Sequence, residues 1–265
     1  MVTVLAYYRR RLIRRYLQSR FRPRSSPWRR QLARGIRTGP FTGRLRRRLV
    51  FERHVLVSAS GRALYDTSTK FGARATIREL GPAGGCTLAG NGHLVLTVRT
   101  GALSVIPAML VADGRRVAIF SAHSELPGRT VLPRVRTGQQ GFLAQLAFPS
   151  WQALFSARRG LAAGWDVVLP VDSSGVPGDG SFRADYPRLP GDTSRLLALF
   201  RGSATSIIFM CTETRNVWRP EFTIIRHDYS DDQPQFIRDI ENTLQRLPHQ
   251  WHVWTALGAD ASRLA

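Results

Sequence analysis

Short apolar runs alternate with longer helix-like segments over most of the chain. The runs with strand character are 55–58, 92–98, 117–120, 167–170, 206–211 and 222–225. Strands that alternate with helices in this way are typical of a largely parallel sheet whose faces are covered by helices. The predicted fold class is therefore α/β, a mostly parallel sheet flanked by helices.

Three segments between and after these runs predict helices. Residues 102–113 are apolar despite Pro107, and Gly114 follows where a helix commonly ends. Residues 139–159 are the next helical segment, and residues 236–247 place their apolar side chains on one side. Two tryptophans, Trp251 and Trp254, follow the last helix and are expected to pack on the sheet.

The N-terminal segment has a different pattern, in which apolar side chains recur every three or four positions with arginines between them. These side chains are Leu5, Tyr8, Leu12, Ile13, Tyr16 and Leu17. Residues 4–21 therefore predict a basic amphipathic helix. Prolines and glycines then mark a linker expected to end near Leu49. The predicted division is a basic amphipathic arm and linker at 1–49 and an α/β domain at 50–265.

The charge is concentrated in this arm. The chain has 39 basic and 18 acidic residues, and residues 1–48 contribute +16 of the net charge of +21, which leaves +5 for the remainder. A basic amphipathic helix can lie on a membrane with anionic lipid. A solvated charged helix, a disordered basic tail and a nucleic-acid arm are the alternatives. The body has no helix-turn-helix, zinc-finger or RNP-like pattern, which argues against nucleic acid.

Several other classes are excluded by simple features. Cys86 and Cys211 lack CxxC spacing and a nearby histidine pair, so neither a metal site nor a disulfide scaffold is predicted. No apolar run approaches the length of about eighteen residues that a spanning helix needs, and no secretory signal pattern is visible. We therefore expect a cytoplasmic protein that is peripheral on the inner face of the cell membrane.

Four segments carry a resemblance to a known superfamily. They are 92–104, 161–172, 187–198 and 241–254, the last of which contains Pro248-His-Gln-Trp251. In this order they resemble the lipid A biosynthesis and phosphatidylinositol mannoside acyltransferases of the lysophospholipid acyltransferase superfamily, over about residues 50–257. Segment 92–104 is similar to the strand and turn with the superfamily's His-x4-Asp/Glu motif, and segment 161–172 to the one that ends in Pro-Asp.

The resemblance implies acyl transfer from a carrier thioester, on acyl carrier protein or CoA, to a hydroxyl or amine acceptor at a membrane surface. The thioester is a co-substrate, and no other cofactor is implied. In the superfamily the motif histidine deprotonates the acceptor, but alignment on Gly101 places Arg99 at its position and Ser104 at that of the acid. Arginine stays protonated and cannot be the base. We expect Arg99 and Ser104 to contact substrate, with Arg99 on an anionic group or the developing oxyanion.

A hydroxyl acceptor would therefore need a base elsewhere in the fold, whereas a free amine acceptor needs less help from a base and would make the loss of the motif tolerable. His123 follows the strand run 117–120 and would open onto the crevice beside Arg99, with Glu125 or Asp172 as the orienting acid. The alternative for His123 is an exposed loop histidine beside a solvated carboxylate. His93 lies within a strand and is interpreted as a core histidine. The literal His-x4-Asp spacing of His227 and Asp232 is interpreted as coincidence.

A second binding feature is predicted further along the chain. The loop 173–181 follows a strand end, where open α/β sheets gather their ligands. Asp192 or Thr193 can cap the helix that follows, and Arg188 and Arg195 lie close enough in sequence to hold a phosphate there. Simple capping with solvated arginines is the alternative.

The loss of both motif residues motivates a second function of another class. In that hypothesis the chain is a catalytically silent member that binds an acyl chain, a lipid or a carrier protein and serves as a partner or scaffold. Because Arg99 and Ser104 replace the catalytic pair, the sequence leaves both hypotheses open.

Overall fold

A six-stranded sheet forms the centre of the described structure. The computed structural model describes residues 2–20, 27–38, 42–71, 88, 90–101, 105–122, 142–148, 151–172, 193–218, 221–229 and 233–252. The strands are β1 (His93–Thr97), β2 (Arg116–Ala122), β3 (Phe142–Phe148), β4 (Asp166–Pro170), β5 (Ser206–Asn216) and β6 (Glu221–Tyr229).

Within the described ranges, three helices precede the sheet and four lie between or after its strands. They are α1 (Val2–Arg20), α2 (Pro27–Thr38), α3 (Arg44–Phe71), α4 (Val105–Ala112), α5 (Trp151–Ala162), α6 (Thr193–Phe200) and α7 (Gln233–Arg246), followed by a 3₁₀ turn at Pro248–Gln250. Gly114 ends α4 with φ +83°, and the amide of Arg115 bonds back to the Leu110 carbonyl oxygen. This is the predicted glycine cap.

The strand order β3-β2-β4-β1-β5-β6 confirms the mostly parallel α/β sheet. Strands β1 to β5 are parallel, and β6 is an antiparallel edge strand on β5. The predicted runs 92–98, 117–120, 167–170, 206–211 and 222–225 are all strands, and the predicted helices at 102–113 and 236–247 are present as α4 and α7.

Alternate side chains of the sheet serve two separate cores. Leu94 and Leu96 of β1 point to the face packed by α2, α3, α5, α6 and α7. Val95 points to the opposite face, where α4 covers the sheet with Ile106 and Leu110. Because both faces are buried, the strands are continuous apolar runs without polar alternation, as expected for parallel strands.

The connections divide at β1 and β4, which are neighbours in the sheet. From β1 the chain passes through α4 to β2, while from β4 it passes through α6 to β5 on the other side of β1. The two connecting helices lie on opposite faces of the sheet. Ligands of open α/β sheets bind beyond the strand ends at such a switch point.

Two predicted elements are wrong. The strand predicted at 55–58 is part of the continuous helix α3. The prediction failed because α3 is buried on most sides here and has no exposed polar face that would reveal the helical period. A short apolar run does not distinguish a buried helix from a strand. The helix predicted at 139–159 is instead strand β3 followed by α5, since Phe142–Phe148 pairs with β2 over seven residues. The predicted division between residues 49 and 50 falls inside α3.

The N-terminal helix packs on the body. The predicted helix at 4–21 is confirmed as α1, and its Tyr8 and Leu12 side chains are fully buried in a cluster with Ala59, Ala63 and Leu64 of α3. The Tyr8 hydroxyl donates a hydrogen bond of 2.9 Å to the carbonyl oxygen of Val217. This side of α1 is therefore part of the protein interior.

Candidate functional site

A buried ion pair joins the ends of β1 and β4 at the switch point. Thr97 pairs with Pro170, so Arg99 and Asp172 stand two residues beyond paired positions. Arg99 Nη2 donates a 2.6 Å hydrogen bond to the Asp172 carbonyl oxygen, and Arg99 Nε lies 3.4 Å from Asp172 Oδ1. Arg99 is 9% exposed and Asp172 only 1%. The pair is therefore nearly closed to solvent in the described structure.

Asp172 Oδ2 accepts two further hydrogen bonds. The donors are the backbone amide of Arg99 and the indole Nε1 of Trp251, each at 2.8 Å. A buried carboxylate requires such donors because burial without them is strongly unfavourable. The predicted packing of Trp251 on the sheet is confirmed, as the side chain is 2% exposed within the main core.

The segment after α7 closes over the turn that follows β1. Thr100 forms an antiparallel bridge with Trp251, and the amide of Gly101 bonds to the Gln250 carbonyl oxygen at 3.2 Å. The amide of His252 bonds to the Arg99 carbonyl oxygen at 2.7 Å. The Pro-x-Gln-Trp segment and the motif-like segment therefore form one unit of structure.

Gly101 lies in a turn pressed against β5. Its φ is +51°, and a Cβ added there would lie 2.8 Å from the Thr212 carbonyl oxygen. The hydroxyls of Thr100 and Thr212 each donate to the other residue's carbonyl oxygen, at 3.0 and 2.8 Å. Only glycine fits this combination of left-handed backbone and close approach.

His252 lies at the rim of this cluster with a defined tautomer. Its Nε2 is 2.7 Å from the Gly101 carbonyl oxygen, which can only accept, so Nε2 carries the proton and Nδ1 the lone pair. Burial lowers the pKa of His252, and Arg99 lowers it further against the opposing effects of the Gly101 carbonyl and Asp172. The ring is therefore a neutral imidazole at neutral pH.

A second histidine supports the first from α3. The rings of His54 and His252 meet edge to face with centroids 5.5 Å apart. His54 Nδ1 donates to the His249 carbonyl oxygen at 3.1 Å, and Nε2 accepts from the Ser58 hydroxyl at 3.3 Å. Burial lowers the pKa of His54 to about 3, so this ring is also neutral.

Only part of the predicted site lies within the described residues. Arg99 and Asp172 are brought together, but the Arg99 guanidinium contacts Asp172, and Asp172 Oδ2 holds Trp251 and the Arg99 amide. Arg195 belongs to α6, although its side chain is not among those described. Ser104, His123, Glu125, Arg188 and the loop 173–181 lie outside the described residues.

His252 and His54 are the residues that the sequence analysis missed. His252 directly follows Trp251 in the segment 241–254, so the resemblance already pointed to its neighbourhood. His54 directly precedes the stretch 55–58 that was misassigned as a strand, and no spacing in the sequence links it to His252. His93 is a core histidine as predicted, 3% exposed with Nδ1 2.7 Å from the Ser206 hydroxyl.

Strand β4 carries a second ion pair, at its amino end. Arg115 forms a salt bridge with Asp166 at the start of β4, and Asp166 Oδ1 also accepts the backbone amide of His93 at 3.0 Å. Arg115 in addition bonds to the Leu88 carbonyl oxygen. This pair fastens the amino ends of β1 and β4, as Arg99 and Asp172 fasten their carboxyl ends.

No family model matches the chain, and no curated protein matches its sequence. Of the helices within the described ranges, none combines the length and apolar character needed to cross a bilayer. No three His, Cys, Asp or Glu side chains of those ranges cluster so as to bind a metal ion.

Proposed function

We propose that this chain is an acyltransferase-like protein that transfers an acyl group from a carrier thioester to a hydroxyl or amine acceptor at a membrane surface. The observation that carries the proposal is a neutral imidazole, His252, at the carboxyl ends of β1 and β4 beside a closed arginine–carboxylate pair. This is the part of an α/β sheet where ligands bind, and a neutral imidazole is the usual general base.

In the proposed reaction the acceptor oxygen or nitrogen attacks the thioester carbonyl carbon while His252 Nδ1 takes its proton. The carbon–sulfur bond then breaks, and the departing thiolate receives that proton from the imidazolium. An amine acceptor that is already neutral needs less assistance from the base than a hydroxyl does. His252 thereby takes the role that the histidine has in the superfamily motif, and His123 is the competing candidate for it.

Arg99 is a positioning residue in this proposal. Its guanidinium and amide hold Asp172, its carbonyl oxygen accepts the amide of His252, and the neighbouring Gly101 carbonyl fixes the imidazole. A permanently charged side chain at this position still lowers the pKa of His252, which keeps the ring in the basic form. This gives Arg99 a use that does not require it to act as a base.

The test is His252→Gln, because glutamine can donate to the Gly101 carbonyl oxygen but cannot accept a proton. The full chain is incubated with acyl-carrier and acyl-CoA pools and acceptor lipids, and acyl products are followed by mass spectrometry. We expect product formation to fall by about 10²–10⁴-fold, the usual effect of losing a general base. His249→Gln, three residues earlier in the 3₁₀ turn, is the matched control and should retain product formation.

The alternative is a catalytically silent protein that binds an acyl chain, a lipid or a carrier protein. It is favoured by the enclosure of Arg99, which fills the motif position with a cation already engaged by Asp172. Native mass spectrometry that shows a retained acyl ligand, with no product from any donor, would support this alternative. Loss of product in His123→Gln but not in His252→Gln would assign the base to His123.

A further inference from the structure

Four large apolar side chains remain exposed on α1 and on the first turns of α3. Ile13 is 47% exposed, Leu17 43%, Leu45 72% and Leu49 49%. Ile13 and Leu17 are four positions apart on α1, and Leu45 and Leu49 are four positions apart on α3. A spacing of four places the two members of each pair on the same side of their helix. We name these four residues the apolar strip. The two helices pack on each other through a buried cluster that includes Tyr8 and Leu12 of α1 and Ala59, Ala63 and Leu64 of α3.

The apolar strip is not the surface that the sequence pattern predicts for α1. That pattern combines all apolar residues of the helix, but Tyr8 and Leu12 are buried against α3 and are not accessible to a partner. The exposed residues Ile13 and Leu17 remain on the outer side. The leucines at 45 and 49 lie outside the predicted helix and belong to α3.

Arginines surround the apolar strip. Arg10 and Arg14 are exposed beside Ile13 on α1, and Arg44, Arg46 and Arg48 are exposed on the first turns of α3. Residues 1–48 contain no acidic side chain. Of the acids on α3, Asp66 pairs with Arg15, and Glu52 lies 3.4 Å from Arg20 in a pair that stays partly exposed. Exposed apolar side chains and exposed arginines therefore occur together on α1 and on the first turns of α3.

We propose that the apolar strip and its arginines bind the surface of a bilayer with anionic lipid. Side chains of this kind enter the boundary between headgroups and acyl chains, while guanidinium groups pair with lipid phosphates. Nucleic acid would also attract the arginines, but its phosphate backbone offers nothing for exposed leucines and isoleucine. A membrane uses both the apolar side chains and the arginines, whereas nucleic acid uses only the arginines. Substitutions in the apolar strip therefore distinguish a bilayer from nucleic acid as the partner. This inference does not depend on acyl transfer.

The experiment measures co-flotation of the full chain with phosphatidylcholine vesicles that contain or lack phosphatidylglycerol. We expect Leu45→Ser with Leu49→Ser, and separately Ile13→Ser with Leu17→Ser, to weaken the partition onto anionic vesicles about tenfold or more, since each removes buried apolar area from the bound state. The substituted residues are exposed, so the fold should persist. Removing residues 1–48 is unsuitable because it cuts α3 and deletes the buried Tyr8 and Leu12.

The matched control is Trp151→Ser with Phe155→Ser. These two side chains on α5 are 52% and 50% exposed, have adjacent rings and lie outside the apolar strip. The control should float as the wild type does, and retention on a DNA duplex should be unchanged by the leucine substitutions. The proposal is overturned if the wild type does not float, if the leucine variant floats like the wild type, or if the control loses flotation equally.

Discussion

At the scale of single residues, Asp172 is a carboxylate that is only 1% exposed and is held by both Arg99 and Trp251. It is the carboxylate that faces Arg99, and its Oδ2 accepts both the Arg99 amide and the Trp251 indole. A buried carboxylate is strongly unfavourable unless hydrogen bonds and an opposite charge compensate for its lost hydration. Trp251 therefore both fills the core and donates a hydrogen bond to Asp172. A substitution that keeps the ring but removes the donor separates these two contributions.

Trp251→Phe should lower the free energy of unfolding by about 1–3 kcal/mol because it leaves an indole-sized contact largely filled but removes one donor from a buried carboxylate. Urea denaturation followed by circular dichroism measures the change. Trp151→Phe is the control, since Trp151 is 52% exposed and makes no buried hydrogen bond among those described. Equal stability of the two variants would contradict the polar role of Trp251.

The sequence predicted which residues stand at the two strand ends but not how they are engaged. Arg99 and Asp172 were identified from the order of the motif-like segments, and the parallel pairing of β1 with β4 brings them together. We expected Arg99 to bind an anionic group of the substrate. That Asp172 binds it instead could not be predicted, because 73 residues separate the two. Contacts between distant positions are decided by the strand order.

At the scale of elements, the turn after β1 connects three parts of the fold. It bridges to Trp251, exchanges hydroxyl hydrogen bonds with Thr212 of β5, and holds His252 through the Gly101 carbonyl oxygen. A displacement of this turn would therefore move the candidate base relative to both strand ends. Its sensitivity to a single methyl group provides a test of that coupling.

Gly101→Ala should lower the free energy of unfolding more than Gly202→Ala. Both positions have positive φ, so each alanine should cost about 1 kcal/mol for its backbone conformation. A Cβ at Gly202 meets nothing within 4 Å, whereas one at Gly101 lies 2.8 Å from the Thr212 carbonyl oxygen, which should add about 1–3 kcal/mol. Chemical denaturation compares them, and equal losses would show that the turn yields freely.

The element predictions failed where burial hides periodicity. In α3 the successive apolar residues Val55, Leu56 and Val57 are all buried or half-buried, because α1, α2 and the 3₁₀ turn pack around the helix. The helix therefore shows the unbroken apolar pattern of an interior strand. The strand β3 was assigned to a helix because its largely apolar residues 142–148 were joined to the true helix that follows, across the boundary signal Pro149-Ser150.

At the scale of the whole molecule, buried neutral histidines should make stability depend on pH. The pKa of His54 is about 3 in the folded protein, against about 6.5 for an unperturbed histidine. Between these values the unfolded chain binds more protons than the folded one, so stability is full above about pH 6.5 and falls as the pH decreases.

His54→Gln should reduce this dependence by up to about 1.4 kcal/mol per pH unit between about pH 6 and pH 4, because the glutamine does not titrate. The free energy of unfolding of wild type and variant is compared by urea denaturation at several pH values. The variant should be less stable at pH 7, where its hydrogen bonds are altered, and closer to the wild type at pH 4. Parallel pH profiles would contradict the buried neutral state of His54.

The sequence by itself determined the α/β class, five of the six strands, the amphipathic N-terminal helix and the concentration of charge in residues 1–48. These depend on local periodicity and composition, which neighbouring residues express directly. The tertiary structure alone decided that α1 turns Tyr8 and Leu12 inward, that Asp172 engages Arg99, and that His54 meets His252. Each of these joins positions far apart in the chain, and burial against a distant element leaves no repeating signal in the sequence.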